Sequence, residues 1–506
     1  MNRILKNTVT VGAFTALSRV LGLVREMLQS RFIGAGIEQS AFTLAFAIPN
    51  MARKLFGEGA LTAAFVPVFK GEIESQAAES ARRLARSVMT MAILMLVSIV
   101  AIALIGLEVT VHYRFDCELS ERALLTIRLV KTLLPYMIFI CGAAFGMGVL
   151  NAMGRFKASS AMPCLLNVFW IGILLWICFH PELKLDQRIH RVAMAILVAG
   201  AVQMGFMFWR MHCAGITPRL SFRGWNDPKV RLVWRNTAIG AMGAGAIQIN
   251  YMLDQVLGQI AAPWAAGVIG YAERLMDLPL GVVGVAFGTV LLPAFAGCFS
   301  KGDIEGAREA FVSSSQQMLF VMIPAAVGLG VLAPEVTSVI YRGGAFDELA
   351  VLRVSRAVAV YAIGLGFFGL HKSLVPWFQA QNDMKTPLRV SVWTVCLNAA
   401  LNILAVVFLP VEWRHVGLAA STVFCSACGI FLLVHSAHRR NGSLGISRLV
   451  KPVVKILTGS ALMALVILLV RKYISFPPIF SLSVLVFVGG AIYLLSMTIL
   501  GLKRKR

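Results

Sequence analysis

Four arginines lie within long apolar stretches of the sequence, where a guanidinium group is able to do specific chemistry. They are Arg19, Arg25, Arg53 and Arg274. A charged side chain inside a membrane helix is costly unless it faces water or a partner, so such residues are functional candidates by default. Because a guanidinium binds phosphate oxygens in a bidentate manner, four arginines on one cavity would suit an anionic substrate that contains phosphate.

Five further ionisable groups lie close to these arginines in the sequence, and we predict gating or coupling roles for them. The set is Glu26, Lys54, Glu58, Glu273 and Asp277. Lys54 and Glu58 are four residues apart, a spacing at which opposite charges pair along one helix face. Arg274 is able to pair with Asp277 in the same way, three residues later. The alternative role for these acids is therefore that of a local counter-ion.

Arg53 lies in a broken apolar stretch, residues 45–68, which has to position it. Pro49, Gly57 and Gly59 interrupt this stretch. A bent helix is tolerated at membrane depth where it lines protein or water rather than lipid. We therefore predict that this helix forms one wall of a water-accessible cavity.

The composition indicates a membrane protein. The chain has 506 residues, of which 58% are hydrophobic and 14% are charged, whereas a soluble domain is typically about a quarter charged. The mean hydropathy is +0.78. We predict an all-α polytopic membrane protein with about fourteen transmembrane helices. The predicted spans are residues 8–29, 40–68, 87–111, 123–150, 160–179, 191–211, 236–260, 264–296, 312–333, 355–380, 388–409, 416–436, 449–470 and 478–500.

The formal net charge of +23 has an ordinary explanation in such a protein. Lysine and arginine are enriched in the cytoplasmic loops of membrane proteins, so the charge does not require a nucleic acid partner. With the N-terminus inside, the predicted cytoplasmic segments hold 26 Lys and Arg residues and the opposite side holds 11. We therefore predict that both termini are cytoplasmic and that the chain binds no nucleic acid.

The sequence contains an internal repeat. Pro-x-Phe elements at Pro67 and Pro293 are 226 residues apart, and Lys157 and Lys385, each in a polar turn before an apolar run, are 228 apart. An even number of helices separates the copies, so they are parallel repeats. We predict two six-helix lobes, residues 1–215 and 216–440, followed by two extra helices and a basic tail in 441–506. Such pseudo-symmetric halves favour a transporter over a channel or an enzyme.

The sequence offers no basis for catalysis. It contains no HExxH, no GxSxG and no nucleotide-binding loop, and no soluble stretch is long enough for a nucleotide-hydrolysing domain. We therefore predict a transporter that is not an enzyme and has no cofactor. Its energy would come from a sodium or proton gradient, from the membrane potential or from a partner.

The chain resembles the MurJ (MviN) family in three segments, which read SRVLGLVRE, PNMARKLFGEGALTAAFVPVF and ERLMDLPLGVVGVAFGTVLLP. These proteins are lipid II flippases of bacterial peptidoglycan synthesis, in the multidrug/oligosaccharidyl-lipid/polysaccharide exporter superfamily. The resemblance implies that undecaprenyl-diphosphate-linked disaccharide-pentapeptide moves from the inner to the outer leaflet of the cytoplasmic membrane by alternating access. It also implies that Arg19, Arg25, Arg53 and Arg274 contact the diphosphate and that the two C-terminal helices form a groove for the lipid tail. The cell-wall synthesis machinery is the implied protein partner.

The resemblance also implies candidate sodium ligands. Some members of the family place a sodium ion among the seventh, eleventh and twelfth spans, and the matching positions are Asp254, Asn398, Asn402 and Thr422. This chain has Asn402 where the family ligand is acidic. It also has Ser40 and Ala47 where the family often has an acid and a base, so one charge of each sign is absent from the second span.

Two other functions are kept as alternatives. A flippase of the same fold could move another polyprenyl-linked oligosaccharide, such as an O-antigen unit. A cation-coupled drug exporter is the third hypothesis, and it predicts acidic central residues rather than arginines.

Overall fold

The computed structural model describes residues 3–57, 60–75, 78–113, 120–222, 224, 226–473 and 476–501. The described residues form seventeen α-helices and one π-helical segment, Arg53–Gly57, and their only β-pairing is an isolated bridge. The α-helices are α1 (Arg3–Ile33), α2 (Ile37–Ala52), α3 (Ala60–Glu74), α4 (Ala78–Tyr113), α5 (Glu121–Leu133), α6 (Tyr136–Ala152), α7 (Phe156–Cys178), α8 (Leu185–Cys213), α9 (Pro228–Ala261), α10 (Ala265–Ser300), α11 (Ile304–Val331), α12 (Ala333–Tyr341), α13 (Glu348–Gln379), α14 (Lys385–Phe408), α15 (Val411–Asn441), α16 (Ser447–Arg471) and α17 (Pro478–Ile499).

The predicted all-α membrane fold is confirmed. Ten helical stretches among the described residues are long and apolar enough to cross a membrane, with α5 and α6 forming one of them. The four remaining predicted spans coincide with α1, with α2 and α3 together, with α9 and with α10. All four contain charged or amide side chains together with glycine or proline. The count of fourteen spans stays a prediction.

The two halves of the chain repeat the same order of helices. The helices of the first half that have a counterpart in the second half are α2, α4, α5, α7 and α8. Their counterparts are, in the same order, α10, α11, α13, α14 and α15, and each begins 226 to 229 residues later. One difference is that Leu332 divides α11 from α12 where the first half has the single helix α4. The helix pattern therefore agrees with the duplication inferred from Pro67 and Pro293.

An arginine at the start of α8 and one at the start of α15 make the same contacts in the two halves. Arg188 donates from Nε to the carbonyl oxygen five residues earlier, at 2.8 Å, and from Nη1 to the carbonyl oxygen of Phe32, at 3.3 Å. Arg414 donates from Nε to the carbonyl oxygen five residues earlier and from Nη1 to the carbonyl oxygen of Ala261, both at 3.1 Å. Because helix ends leave unpaired carbonyl groups, each arginine satisfies one of them.

The chain divides into two compact units, Met1–Gln259 with Gly343–Phe346, and Ile260–Arg342 with Asp347–Arg506. The division falls inside α9. The predicted lobe boundaries at residues 215 and 440 stay a prediction.

In the first unit, α1 packs against α7, and α6 and α7 pack against α8. One apolar core joins these helices to α2 and α5, and a second core joins α3, α4, α6 and α8. At the polar end of α3, Lys229 and Ser80 bind the two carboxylate oxygens of Glu72, both at 2.5 Å. The hydrogen bond from Lys229 and that from Ser80 lower the pKa of Glu72, so this carboxylate stays charged and joins α3 to α4 and α9.

In the second unit, α13 packs against α10, α11 and α15. Trp377 of α13 is fully buried and makes edge contacts with Phe295, Phe299 and Phe311. Of the two C-terminal helices, α16 packs against α11 and α17 packs against α16. Tyr493 of α17 donates a hydrogen bond to the carbonyl oxygen of Phe320, at 2.7 Å. The two extra helices thus both contact α11.

We predict that Gly200→Ala destabilises the first unit. A Cβ at position 200 would lie 2.4 Å from a ring carbon of the buried Tyr136, and overpacking of this kind costs about 1–3 kcal/mol. The apparent melting temperature of the purified protein in detergent measures the effect. Gly205→Ala, in the same helix, is the matched control because no atom lies within 4 Å of its added Cβ. An equal effect of the two substitutions would contradict the described packing of α6 against α8.

Candidate substrate-binding site

Arg25 is held between two helices of the first unit. Its Nη1 donates to Oδ1 of Asn167 in α7, at 3.0 Å, and its Nη2 pairs with Oε1 of Glu26, at 2.5 Å. Its guanidinium carbon stands 4.4 Å from the centre of the Trp170 ring. The side chain is 14% exposed. Arg25 therefore does not extend to the end of α1 to reach water, and its charge is positioned by α7.

A relay of buried polar groups continues from Trp170. Its Nε1 donates to Oε1 of Gln29, the Nε2 of Gln29 donates to Oε1 of Gln39, and both distances are 3.0 Å. Gln39 then donates to the hydroxyl of Thr43, at 3.3 Å. Buried polar groups in an apolar setting are stable only when such bonds satisfy them. The relay fixes α1, α2 and α7 relative to one another around Arg25.

Arg53 begins the π-helical segment that follows α2. Both Nε and Nη2 of Arg53 donate to Oδ1 of Asn50, at 3.2 and 3.0 Å. Pro49 lies inside α2, where it lacks the N–H group that a regular helix requires. π-Helical turns occur frequently at functional sites. The predicted irregularity of this span is confirmed, and its form is a π turn that starts at the arginine.

The other predicted groups of this region lie in the first unit. Arg19 is exposed on α1. Lys54 stands over the Tyr251 ring, with its ammonium nitrogen 5.4 Å from the ring centre. Glu58 lies outside the described residues, so its pairing with Lys54 stays a prediction.

The predicted groups of the second half lie on α10, in the second unit. Arg274 and Asp277 are exposed, and Glu273 is partly buried. The intrahelical Arg274–Asp277 pair stays a prediction. The convergence of the four arginines on one cavity also stays a prediction.

The candidate sodium ligands lie on three helices. In α9, the buried Asp254 accepts a hydrogen bond from Asn250, at 3.2 Å. In the second unit, Asn402 donates to Oδ1 of Asn398, at 2.9 Å, and Asn398 donates to the Thr422 hydroxyl, at 3.3 Å. Oxygen donors suit a hard cation, but the oxygens of Asn398 and Thr422 already accept hydrogen bonds. No group of three His, Cys, Asp or Glu side chains that could hold a metal occurs among the described residues.

Sequence reasoning missed three residues that contact the predicted arginines: Asn167, Trp170 and Asn50. Asn167 ends an apolar run in the sequence. A lone amide in an apolar helix is a usable signal, because burying it without a partner is costly. The identity of its partner required the tertiary structure.

The fold and the buried arginine define the class of the protein, a polytopic α-helical membrane protein with duplicated halves. Its structure is similar to that of a lipid II flippase MurJ in the inward closed conformation, with a TM-score of 0.80 and 23% identity over 97% of this chain and 98% of that one. It is also similar to an inward-facing multidrug resistance transporter of the MATE family in the MOP superfamily, with a TM-score of 0.70 and 14% identity over 84% and 95% of the two chains.

The sequence comparisons identify the family. A family model described as lipid II flippase MurJ matches residues 29–487, and the chain belongs to this family. A probable lipid II flippase MurJ of Rhizobium tropici is 32% identical over 92% of this chain and 86% of the relative. A probable lipid II flippase MurJ of Vibrio cholerae is 31% identical, and the lipid II flippase MurJ of Burkholderia cenocepacia is 30% identical, each over 86% of this chain and 83% of the relative.

We predict that Asn398→Leu lowers the stability of the second unit by about 1–3 kcal/mol, because the buried amide of Asn402 loses this acceptor. The apparent melting temperature in detergent measures the change. Thr394→Val is the control, since Thr394 bonds only locally, to the carbonyl of Ser391 in the same helix. A loss no larger than that of the control would contradict the described Asn402–Asn398–Thr422 ladder.

Proposed function

We propose that this protein flips lipid II, undecaprenyl-diphosphate-linked disaccharide-pentapeptide, from the inner to the outer leaflet of the bacterial cytoplasmic membrane. The observation that carries this proposal is the family match over residues 29–487, together with relatives above 30% identity that are named as lipid II flippases. The protein is a transporter and not an enzyme. Alternating access of the two halves, related by the duplication, is the proposed mechanism.

The buried arginine supports this substrate class. A diphosphate has two anionic groups that must leave water as the headgroup crosses the membrane, and a guanidinium replaces lost hydration with charge-assisted hydrogen bonds. Arg25 is already desolvated by α7 and by the Trp170 ring. We propose that Arg19, Arg53 and Arg274 complete the diphosphate-binding set and that Glu26, Lys54, Glu58, Glu273 and Asp277 gate or couple the cycle.

The apolar tail of the substrate needs a surface continuous with the bilayer. Helices α16 and α17 are attached to α11 and have many exposed apolar side chains, among them Phe487, which is 77% exposed. We propose that these two helices form the groove for the tail. We also propose that both termini are cytoplasmic and that the cell-wall synthesis machinery is the protein partner.

The second candidate, a flippase for another polyprenyl-linked oligosaccharide, would use the same diphosphate site. A cation-coupled drug exporter is the third, and the MATE-like fold alone does not decide against it, because fold does not determine function. The four arginines of the proposed diphosphate set count against a cationic drug.

The test of the function is a leaflet-specific assay of lipid II in a strain depleted of this protein. Depletion should make lipid II accumulate in the inner leaflet, with loss of the outer-leaflet pool. An unchanged outer-leaflet pool, in a strain that lacks a second flippase, would contradict the proposal. If another lipid-linked glycan accumulates instead, the second candidate is correct.

We predict that Arg53→Ala and Arg274→Ala each abolish complementation of the depleted strain, because each removes a charge from the proposed diphosphate set. Immunoblotting of the membrane fraction checks that the variants insert. Arg389→Ala is the matched control, an exposed arginine at the polar end of α14, and it should complement fully. Growth at the wild-type rate with either alanine variant would remove that arginine from the set.

We propose that an ion gradient or the membrane potential drives the cycle, and the candidate sodium ligands provide the test. If sodium is coupled, flipping in proteoliposomes should be faster with sodium than with potassium, and both Asp254→Asn and Asn398→Ala should lose the stimulation. The Thr394→Val control should retain it. Equal rates in the two salts would exclude sodium and leave protons or the membrane potential.

A further inference from the structure

Both polar atoms of the Asn167 side chain form hydrogen bonds with residues of α1. It is 4% exposed, its Oδ1 accepts from Arg25 at 3.0 Å, and its Nδ2 donates to the carbonyl oxygen of Ser18 at 3.1 Å. Ser18 and Arg25 are seven residues apart, so they lie on the same face of α1, two turns from one another. A single side chain of α7 therefore fixes both the rotation of α1 and the direction of one arginine.

Trp170 lies one helical turn after Asn167, and the carbon of the same guanidinium stands over its ring, 4.4 Å from the ring centre. The ring is itself held by the hydrogen bond to Gln29 and by edge contacts with Phe42 and Phe46. A cation over a fixed aromatic face is attracted without being neutralised. The ring thus gives the guanidinium a second fixed contact in α7 besides Asn167.

The contacts leave Arg25 with donor capacity. Among the described residues no acceptor lies within hydrogen-bonding distance of its buried Nε. Asn167 is a neutral acceptor, so it orients the group without adding a second carboxylate to the one that Glu26 already supplies. A carboxylate at position 167 would bind the guanidinium more strongly and would compete with an anionic ligand.

We propose that Asn167 and Trp170 are positioning residues that set the position and direction of the Arg25 guanidinium for a diphosphate group. This inference rests on the proposed function and deepens it, because it assigns to α7 the part of the site that orients the charge. Neither residue touches the substrate in this proposal. Both act through Arg25, and this dependence is what the experiment measures.

The test uses the full-length protein in proteoliposomes and measures the flipping rate over a range of lipid II contents. Asn167→Ala should raise the half-saturating lipid II content about tenfold, which corresponds to about 1.4 kcal/mol, with a smaller change in the maximal rate. Arg25→Ala should have a larger effect, and adding Asn167→Ala to it should change nothing more. Contacting residues couple in such a cycle, whereas distant residues add.

Gln203→Ala is the matched control. Gln203 is 2% exposed and donates to the carbonyl oxygen of Met162 in α7, at 2.8 Å, so its loss removes a buried amide bond to the same helix without touching an arginine. It should leave the half-saturating content unchanged. An additive effect of Asn167→Ala and Arg25→Ala, or an equal shift in Gln203→Ala, would overturn the proposal and leave a packing role for Asn167.

Two further variants separate charge from geometry. Asn167→Asp keeps the acceptor and adds a competing charge, so it should weaken lipid II binding at least as much as Asn167→Ala; tighter binding would overturn the proposal. Trp170→Phe keeps an aromatic face and should retain most of the affinity, whereas Trp170→Leu should lose it. If the two Trp170 variants bind lipid II with equal affinity, the ring does not position Arg25.

A second readout separates this inference from the proposed function. Farnesyl diphosphate should raise the melting temperature of the wild-type protein, and the rise should be smaller in Asn167→Ala but unchanged in Gln203→Ala. If the wild-type protein does not flip lipid II but shows this pattern, the function fails and the positioning role stands. If the wild-type protein flips lipid II and the rise in melting temperature is the same in Asn167→Ala, the positioning role is wrong and the proposed function stands.

Discussion

Desolvation of a guanidinium is the constraint on which the first unit depends. Burying a charged arginine inside an apolar span is costly unless protein groups replace the water that it loses. Here the replacement comes from one carboxylate, one amide oxygen and one aromatic face, at Glu26, Asn167 and Trp170. The cost of burying Arg25 is thereby offset locally, and α1, α2 and α7 are placed by the same contacts.

The span with Arg53 meets the same constraint through its backbone. Pro49 removes one helical N–H, and the helix continues as a π turn from Arg53 to Gly57. Arg53 binds the amide oxygen one turn before it, at Asn50. An irregular backbone at membrane depth is stable only where it faces protein or water, so the turn and the charge support the same interpretation of this helix as a cavity wall.

Duplication accounts for much of the remaining architecture. Arg188 and Arg414 make matching contacts in their own halves, and both satisfy a carbonyl at the end of the first helix of the repeat. The polar contacts described in the two interiors differ. The first half has the Arg25–Glu26 ion pair held by Asn167 and Trp170, and the second has the neutral Asn402–Asn398–Thr422 ladder. The halves thus share a scaffold and differ in the chemistry of their interiors.

The sequence by itself determined the membrane class, the ten apolar spans and the duplication, and it predicted the four arginines as candidates. These features depend on composition, hydropathy and spacing, which are local properties of the chain. Only the tertiary structure decided that the partner of Arg25 is Asn167, since 142 residues separate them and any polar residue of a neighbouring helix could have filled that place. The π turn was likewise decided by packing, because a proline predicts a break in a helix but not the geometry that follows it.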